Sequence, residues 1–269
     1  MVEIFNTDSL IKLKNKALKN WHKHNFIFKQ SSEIVFKKLS EINQNFKNVL
    51  LITSDLSETI ERVSNLQFEK LVYLTQYESF LSNEYFQKKH FSKIVSSFEN
   101  IPFKKETFDL IICNFCFHNI NKKEEYINKI FAILKNKGMF FCNFFGENSL
   151  NELQNCFVLN DEKFYKGTYL RFPPRIKMVN YSDLLSRIGF KEVVSEKINY
   201  QIFYKNVISL LNDIKGIGES CSMKQKNNSI LTKKYLQNLN DFYDKMFSDN
   251  RSNLKVTCDI ISTTCWKNN

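Results

Sequence analysis

The sequence predicts a doubly wound α/β fold, in which a mostly parallel sheet is covered by helices on both faces. Three observations carry the prediction. From Val49 onward, short apolar runs suited to buried strands alternate with helical stretches. Phe108 to Phe145 reads as a buried strand, a polar loop, an amphipathic helix, a lone-glycine turn and a second buried strand, the fourth and fifth of the sheet. Two later strand-like segments, one of them closing the fold, suit a seven-stranded sheet with an antiparallel hairpin edge.

Leu10, Leu13, Ala17 and Trp21 recur at helical spacing with Lys12, Lys14, Lys16 and Lys19 between them. They predict an amphipathic lid helix that packs its Trp onto the domain and leaves the lysines solvated. A second helix is expected over Ser31 to Ile42. Val49 to Ile52 is the first strand, closed by TSDLSE and followed by helix to about Asn65, with Ser54 or Asp55 placed to accept a bond from its free N–H groups. Leu71 to Leu74 and Lys93 to Ser97 follow as strands two and three. Leu110 to Phe117, apolar at nearly every position, is the central fourth strand. Asn121 with Glu124 offers the next helix an N-terminal cap, Tyr126, Ile127, Ile130, Phe131, Ile133 and Leu134 form its apolar stripe, and Lys135, Lys137 and Gly138 suit its end. Met139 to Phe145 is the fifth strand.

Beyond Gly146 a helix is expected over GENSLNELQNCF, then an irregular segment with Gly167 and Pro173-Pro174 up to about Asn180, then a short helix from Tyr181 to Ile188 stopped by Gly189. Val194, Ile198, Tyr200, Ile202 and Tyr204 alternate along a long strand. Helices over Phe203 to Ile214 and Ser229 to Phe247 precede the last strand, Val256 to Trp266. A single domain is expected, with residues 1–46 as a helical lid, 47–146 as a cofactor-binding half and 147–269 as a substrate or partner half; 269 residues suffice for one sizeable core.

The net charge of +11 comes from 39 basic residues, 34 of them Lys, scattered among abundant Asn and without an arginine cluster, so no nucleic-acid function is expected. Seven cysteines form no disulfide framework. Cys113 and Cys116 make a CxxC inside an apolar run, with no second pair at zinc spacing, and are expected to be core residues. No signal peptide or membrane span is recognisable, which predicts a cytoplasmic protein with at most peripheral membrane contact.

Several motifs together carry a family resemblance: IPFKKETFDLII (101–112), the post-strand His118 in FCFHNI, FGENSLNEL (145–153), LLSRIGF (184–190), DIKGIGES (213–220) and the closing CWK (265–267). On these the chain resembles the class I S-adenosylmethionine-dependent methyltransferases and, more narrowly, the methyltransferase-like respiratory complex I assembly factors. DIKGIGES is the most specific of them. The resemblance implies a Rossmann-like sheet, S-adenosylmethionine as cofactor and a protein partner in the peripheral arm of complex I, one of whose arginines is modified. The biotin-synthesis enzyme that methylates a malonyl carrier-protein carboxyl is the second family it resembles.

The cofactor motifs depart from that pattern. Where the family has LDLGCGxG after its first strand, the three glycine positions carry Thr53, Asp55 and Ser57. Glycine lets the backbone turn sharply and approach the cofactor closely, and a carboxylate at Asp55 would repel the methionyl carboxylate. The ribose-binding acid falls at Thr75, beside Gln76, and the adenine-reading acid at Ser97, with Glu99 as a substitute. Cofactor binding is therefore expected to be weak or lost. His118 stands where doubly wound sheets place ligands, either as a catalytic base or as a packed loop residue. Arg175 can pair with a ligand carboxylate or with acidic groups of a partner, and Gly216, Gly218, Glu219 and Ser220 form a tight turn whose polar tip offers a partner contact. Three readings follow: a protein side-chain modifier, a carboxyl O-methyltransferase and a non-catalytic assembly chaperone.

Overall fold

The computed structural model describes residues 3–82, 86, 91–225, 231–249 and 253–268. Seven strands form one sheet: β1 (Asn48–Thr53), β2 (Lys70–Thr75), β3 (Ser92–Val95), β4 (Phe108–Asn114), β5 (Leu134–Phe145), β6 (Lys191–Tyr204) and β7 (Leu254–Lys267), in the order β3-β2-β1-β4-β5-β7-β6. The first five run parallel, with Val49 beside Leu110 and Leu50 beside Val72. β7 is antiparallel to both its neighbours. Consecutive strands lie on one side of β1 up to β3 and on the other from β4, so the strand order reverses between β1 and β4.

The period-2 pattern explains the layers. Leu50, Ile52, Ile111, Cys113, Phe140 and Cys142 point to one face, where α4 (Lys123–Ile133) and α6 (Met178–Ile188) cover them through Ile127, Ile130, Tyr181 and Leu185. Val49, Leu51, Leu110, Ile112, Met139 and Phe141 point to the other, covered by α2 (Phe26–Ser40) and α3 (Glu58–Val63) through Val35, Leu39, Ile60 and Val63. Cys113 and Cys116 are buried in the first of these cores, as expected of small apolar residues. The extended ends of β6 and β7 carry a satellite core built by α5 (Asn151–Tyr165), α7 (Val207–Gly216) and α8 (Lys233–Phe247). The opening helix α1 (Thr7–Ala17) and the 3₁₀ turn Leu18–Lys23 meet the segments that follow β1 and β2, through Trp21 on Glu58 and Asn15 on Ser79.

Several local expectations are corrected. Gly138 does not end a helix: α4 stops at Ile133, Lys137 holds the left-handed backbone (φ 62°), and Lys135 to Gly138 already belong to β5. Asn121 does not cap α4. Its side-chain oxygen accepts from the N–H groups of Ile4 and Phe5, each at 2.8 Å, and ties the amino-terminal segment to the post-β4 loop. The fourth strand ends at Asn114, because Phe115 turns into the left-handed region (φ 54°) and Phe117 to Asn119 form a 3₁₀ turn. α2 begins five residues earlier than expected, α5 runs on to Tyr165, and Phe203 lies in β6 while α7 begins at Val207. The expected start of the last helix at Ser229 lies outside the described residues. Lys14, expected in solvent, is fully buried. Among the described residues no helix is long and apolar enough to cross a membrane.

Candidate functional site

Ligands of doubly wound sheets sit at the carboxyl edge where strand order reverses, here between β1 and β4. The turn after β1 is closed by its own side chains. Thr53, Ser54 and Asp55 are buried. The Asp55 carboxylate accepts from the Thr53 hydroxyl, from the Thr59 N–H (3.1 Å) and hydroxyl (2.5 Å), and from the Asn114 amide (3.3 Å). Asp55 thus caps α3, as its position in the sequence indicated. Asn114 continues the network: its amide donates to Thr59 (2.7 Å), its oxygen accepts from Ser31 (2.6 Å), and Asn143 donates to the same Ser31 hydroxyl (3.0 Å). Burial, reinforced by the Glu58 charge, pushes the Asp55 carboxyl up to about 6 against the pull of its donors.

An aromatic plug lies over this turn. The Trp21 and Phe28 rings are 4.9 Å apart, Phe28 meets Phe115 at 4.8 Å, and Phe115 stacks on Phe145 at 4.4 Å. The Trp21 indole N–H and the Asn25 amide both donate to Glu58, at 2.7 and 2.5 Å, fixing the plug to the first turn of α3. Thr75 is fully buried and accepts from the Tyr77 N–H (3.2 Å), with Tyr77 packed on Phe80. Ser57 is half-buried and Ser97 exposed; Glu99 accepts from the Asn121 N–H at 2.8 Å instead of facing the crevice. Trp21 and Phe28 pack over this turn, and the glycine positions that would let backbone approach a cofactor carry side chains. The residues present do not fit S-adenosylmethionine in this arrangement.

DIKGIGES grips the lid. Asp213 meets His24 Nδ1 at 2.5 Å, the Ile217 carbonyl accepts from Lys14 Nζ at 2.9 Å, and Glu219 accepts from Lys14 Nζ at 2.7 Å. His118 Nε2 lies 3.2 Å from the second Glu219 oxygen. Glycine is required twice. A Cβ on Gly216 would stand 2.2 Å from the His24 ring, and Gly218 (φ +68°) would set one 3.0 Å from the Lys14 Cα. Glu219 is therefore not a polar tip open to a partner. Burial raises its carboxyl, and the Lys14 ammonium and His118 overcome this and lower it to about 2. Lys14 Nζ also lies 4.7 Å from the Phe28 ring centroid and 5.2 Å from that of Trp21.

Beside the lid, between β5, β6, β7 and the satellite helices, lies a cavity of about 350 Å³. Phe157, Phe172, Ile202, Leu210, Ile214 and Val256 contribute apolar walls, and His118, Arg175, Glu219 and Ser220 lie on its polar side. It thus brings together His118, Arg175, Glu219 and Ser220, while Gly216, Gly218, Thr53, Asp55, Ser57, Thr75, Ser97 and Glu99 are not among its lining residues. Arg175 is no surface contact: its Nη1 donates to the Glu147 carbonyl (2.8 Å) and Asn151 (2.5 Å). Sequence reasoning missed Arg171, which forks onto the buried Asp161 at 2.7 and 2.5 Å, with the Tyr235 hydroxyl donating to the same carboxylate at 2.5 Å. An arginine two residues before a proline pair was the one available signal.

A family model described as a methyltransferase domain matches residues 57–142. A Rickettsia prowazekii protein provisionally named a methyltransferase is 32% identical over 161 residues, covering 60% of this chain and 71% of that one. The human mitochondrial protein named arginine-hydroxylase NDUFAF5 is 23% identical over 269 residues, covering 99% of this chain and 77% of its own. A malonyl-[acyl-carrier protein] O-methyltransferase of Methylovorus is 23% identical over 68% of this chain and 58% of its own length. Among solved structures, the Haemonchus contortus phosphoethanolamine N-methyltransferase 2 in complex with S-adenosyl-L-methionine superposes with a TM-score of 0.56 at 13% identity, over 93% of this chain and 57% of that one.

Proposed function

We propose that this chain, which belongs to the class I S-adenosylmethionine-dependent methyltransferase superfamily and is related there to the complex I assembly factors, serves a protein partner on a scaffold whose cofactor site is weakened or lost. The observation that carries the cofactor part is the closed turn Thr53–Ser57, with Asp55 fully buried in a hydrogen-bonded network beneath Trp21. Opening it for a cofactor means withdrawing Trp21 and Phe28 into water. Burying one large aromatic side chain is worth roughly 1.5–3 kcal/mol, so a ligand must first offset several kcal/mol before gaining net affinity. Thr75 adds to the deficit. A neutral hydrogen bond to a ribose contributes roughly 0.5–1.5 kcal/mol against about 1.5–3 for a charge-assisted one.

The partner part rests on likeness to the assembly factors and to the human arginine-hydroxylase, which matches over nearly the whole of this chain. A modified arginine in the peripheral arm of complex I is the substrate that likeness supports, and a chaperone that holds such a subunit without chemistry needs nothing from the crevice. Calorimetry with S-adenosylmethionine tests the cofactor part. The unmodified chain should give no saturable heat at micromolar ligand, and Trp21→Ala combined with Gly at 53, 55 and 57 and Asp at 75 should bind better. Micromolar affinity in the unmodified chain would return it to the active methyltransferases.

A further inference from the structure

The 350 Å³ cavity carries six charged or titratable groups, His24, His118, Arg171, Arg175, Asp213 and Glu219. The fold itself engages each of them. His24 meets Asp213 at 2.5 Å, and Arg171 forks onto Asp161. Glu219 accepts from Lys14 and from the Asn119 amide and faces His118 Nε2. Arg175 gives both Nη1 hydrogens to the Glu147 carbonyl and the Asn151 amide oxygen, while Glu152 and Asp259 supply counter-charge from within the fold. Arg175 Nη2 and His118 Nδ1 have no partner, but both are sealed in the fold, out of reach of a ligand.

The walls are apolar. Phe157, Leu210 and Val256 come from the satellite core, and Phe172, Ile202 and Ile214 pack against it. Pro173 and Pro174 line the cavity without N–H groups to offer. Leu170 and Phe26, also among its lining residues, are 51% and 38% exposed and mark where it opens to solvent. A charged ligand would give up its hydration here and find no vacant counter-charge, whereas an uncharged apolar one loses little and takes apolar wall out of water. We propose that this cavity binds an uncharged, mainly apolar small molecule. An apolar cavity of about 150 Å³ takes up benzene, so one of about 350 Å³ has room for roughly ten or more carbon atoms and falls in the size range of small-molecule sites. The cavity adjoins the crevice, with which it shares His118 and Phe145. Its ligand goes beyond the function proposed above and rests on neither the cofactor nor the protein partner.

Calorimetric titration of the purified full-length chain with 1-decanol, decanoate and decylammonium at pH 8 tests the assignment, since the three share one chain and differ in charge. Decanol should bind saturably at one site and raise the melting temperature, with both ions at least tenfold weaker. Ile214→Trp and Ile202→Trp, which fill the cavity from two walls, should each lower decanol affinity at least tenfold. Val179→Trp, on an exposed position of α6 outside the cavity, should leave it unchanged. Circular dichroism checks that each variant is folded, and if neither filling variant folds, the charge series on the unmodified chain decides alone. No saturable binding of decanol, binding of either ion as tight as that of decanol, or undiminished binding in a folded filling variant overturns the assignment.

Discussion

Replacing Lys14 with Met keeps the aliphatic stem and removes the ammonium, leaving Glu219 to His118 and the Asn119 amide. The Lys14 side chain is 0% exposed and that of Glu219 12%. Breaking a buried pair on one side costs about 3–5 kcal/mol, whereas an exposed pair is worth about 0–1. The depressed carboxyl gives a second measure. Lowering Glu219 from 4.5 to about 2 corresponds to about 3 kcal/mol at 1.36 kcal/mol per pH unit, a share of it due to His118. The expected loss is therefore about 3 kcal/mol, read as a fall of about 1 M in the urea midpoint for a slope near 3 kcal/mol/M. Because the folded carboxyl lies below its unfolded value, the contribution is complete above about pH 4.5 and fades as pH falls toward 2. Lys14→Met/Glu219→Gln should recover much of the loss, since no unpaired charge stays behind. A single-variant loss under about 1 kcal/mol, or a double variant no better than the sum of the two single losses, would refute the reasoning.

Asp55 should show the opposite pH dependence. Its folded value of about 6 lies above the unfolded one, near 3.9, so stability falls as pH rises from about 4 to 6, and Asp55→Asn should flatten that stretch of a melting-temperature profile. Gly218→Ala, at φ +68° with its Cβ 3.0 Å from the Lys14 Cα, should cost about 1–3 kcal/mol in urea unfolding; unchanged stability would mean that this turn does not grip the lid. Mixed with complex I peripheral-arm subunits, the tagged chain should retain one of them on affinity resin, and retention of none counts against the partner. The chain should fail to rescue a biotin auxotroph, whereas rescue would promote the carboxyl methyltransferase reading.

The sheet was legible because its signal is local. Leu110 to Cys113 and Phe140 to Phe144 are buried on both faces and read as continuous apolar runs, with the stripe of α4 between them. The sixth strand was legible through its alternation and the closing strand through its place at the end of the fold. Local rules failed where a distant group made the choice. Asn121 looks like a helix cap, yet its oxygen is claimed by backbone 116 and 117 residues away. Lys14 sits among lysines that do face solvent, and its one local mark is its spacing, four residues after Leu10 and three before Ala17 on the apolar face. Its acceptor lies 205 residues later. Gly138 looks like a helix stop because the sequence around it supplies basic residues and an apolar stripe, but the register of β5 with β4 begins before it.

The degenerate turn and the buried lysine are one physical change on the proposed reading. A glycine turn leaves a space that a ligand must fill; here Thr53, Asp55 and Thr59 complete one another's hydrogen bonds, so the turn needs no ligand. Trp21 and Phe28 close the space above it, and a cation beside their rings completes the plug. That cation is Lys14, held by the Ile217 carbonyl and Glu219. The same DIKGIGES turn that marks the resemblance to the assembly factors thus holds the lid down. If the lid is the reason the turn could lose its glycines, loosening it should matter more than rebuilding them. Trp21→Ala alone should then raise S-adenosylmethionine affinity more than restoring Gly at 53, 55 and 57 does beneath an intact plug, and calorimetry on the two variants separates the cases. Equal or reversed gains would mean that the turn, and not the lid, sets the barrier.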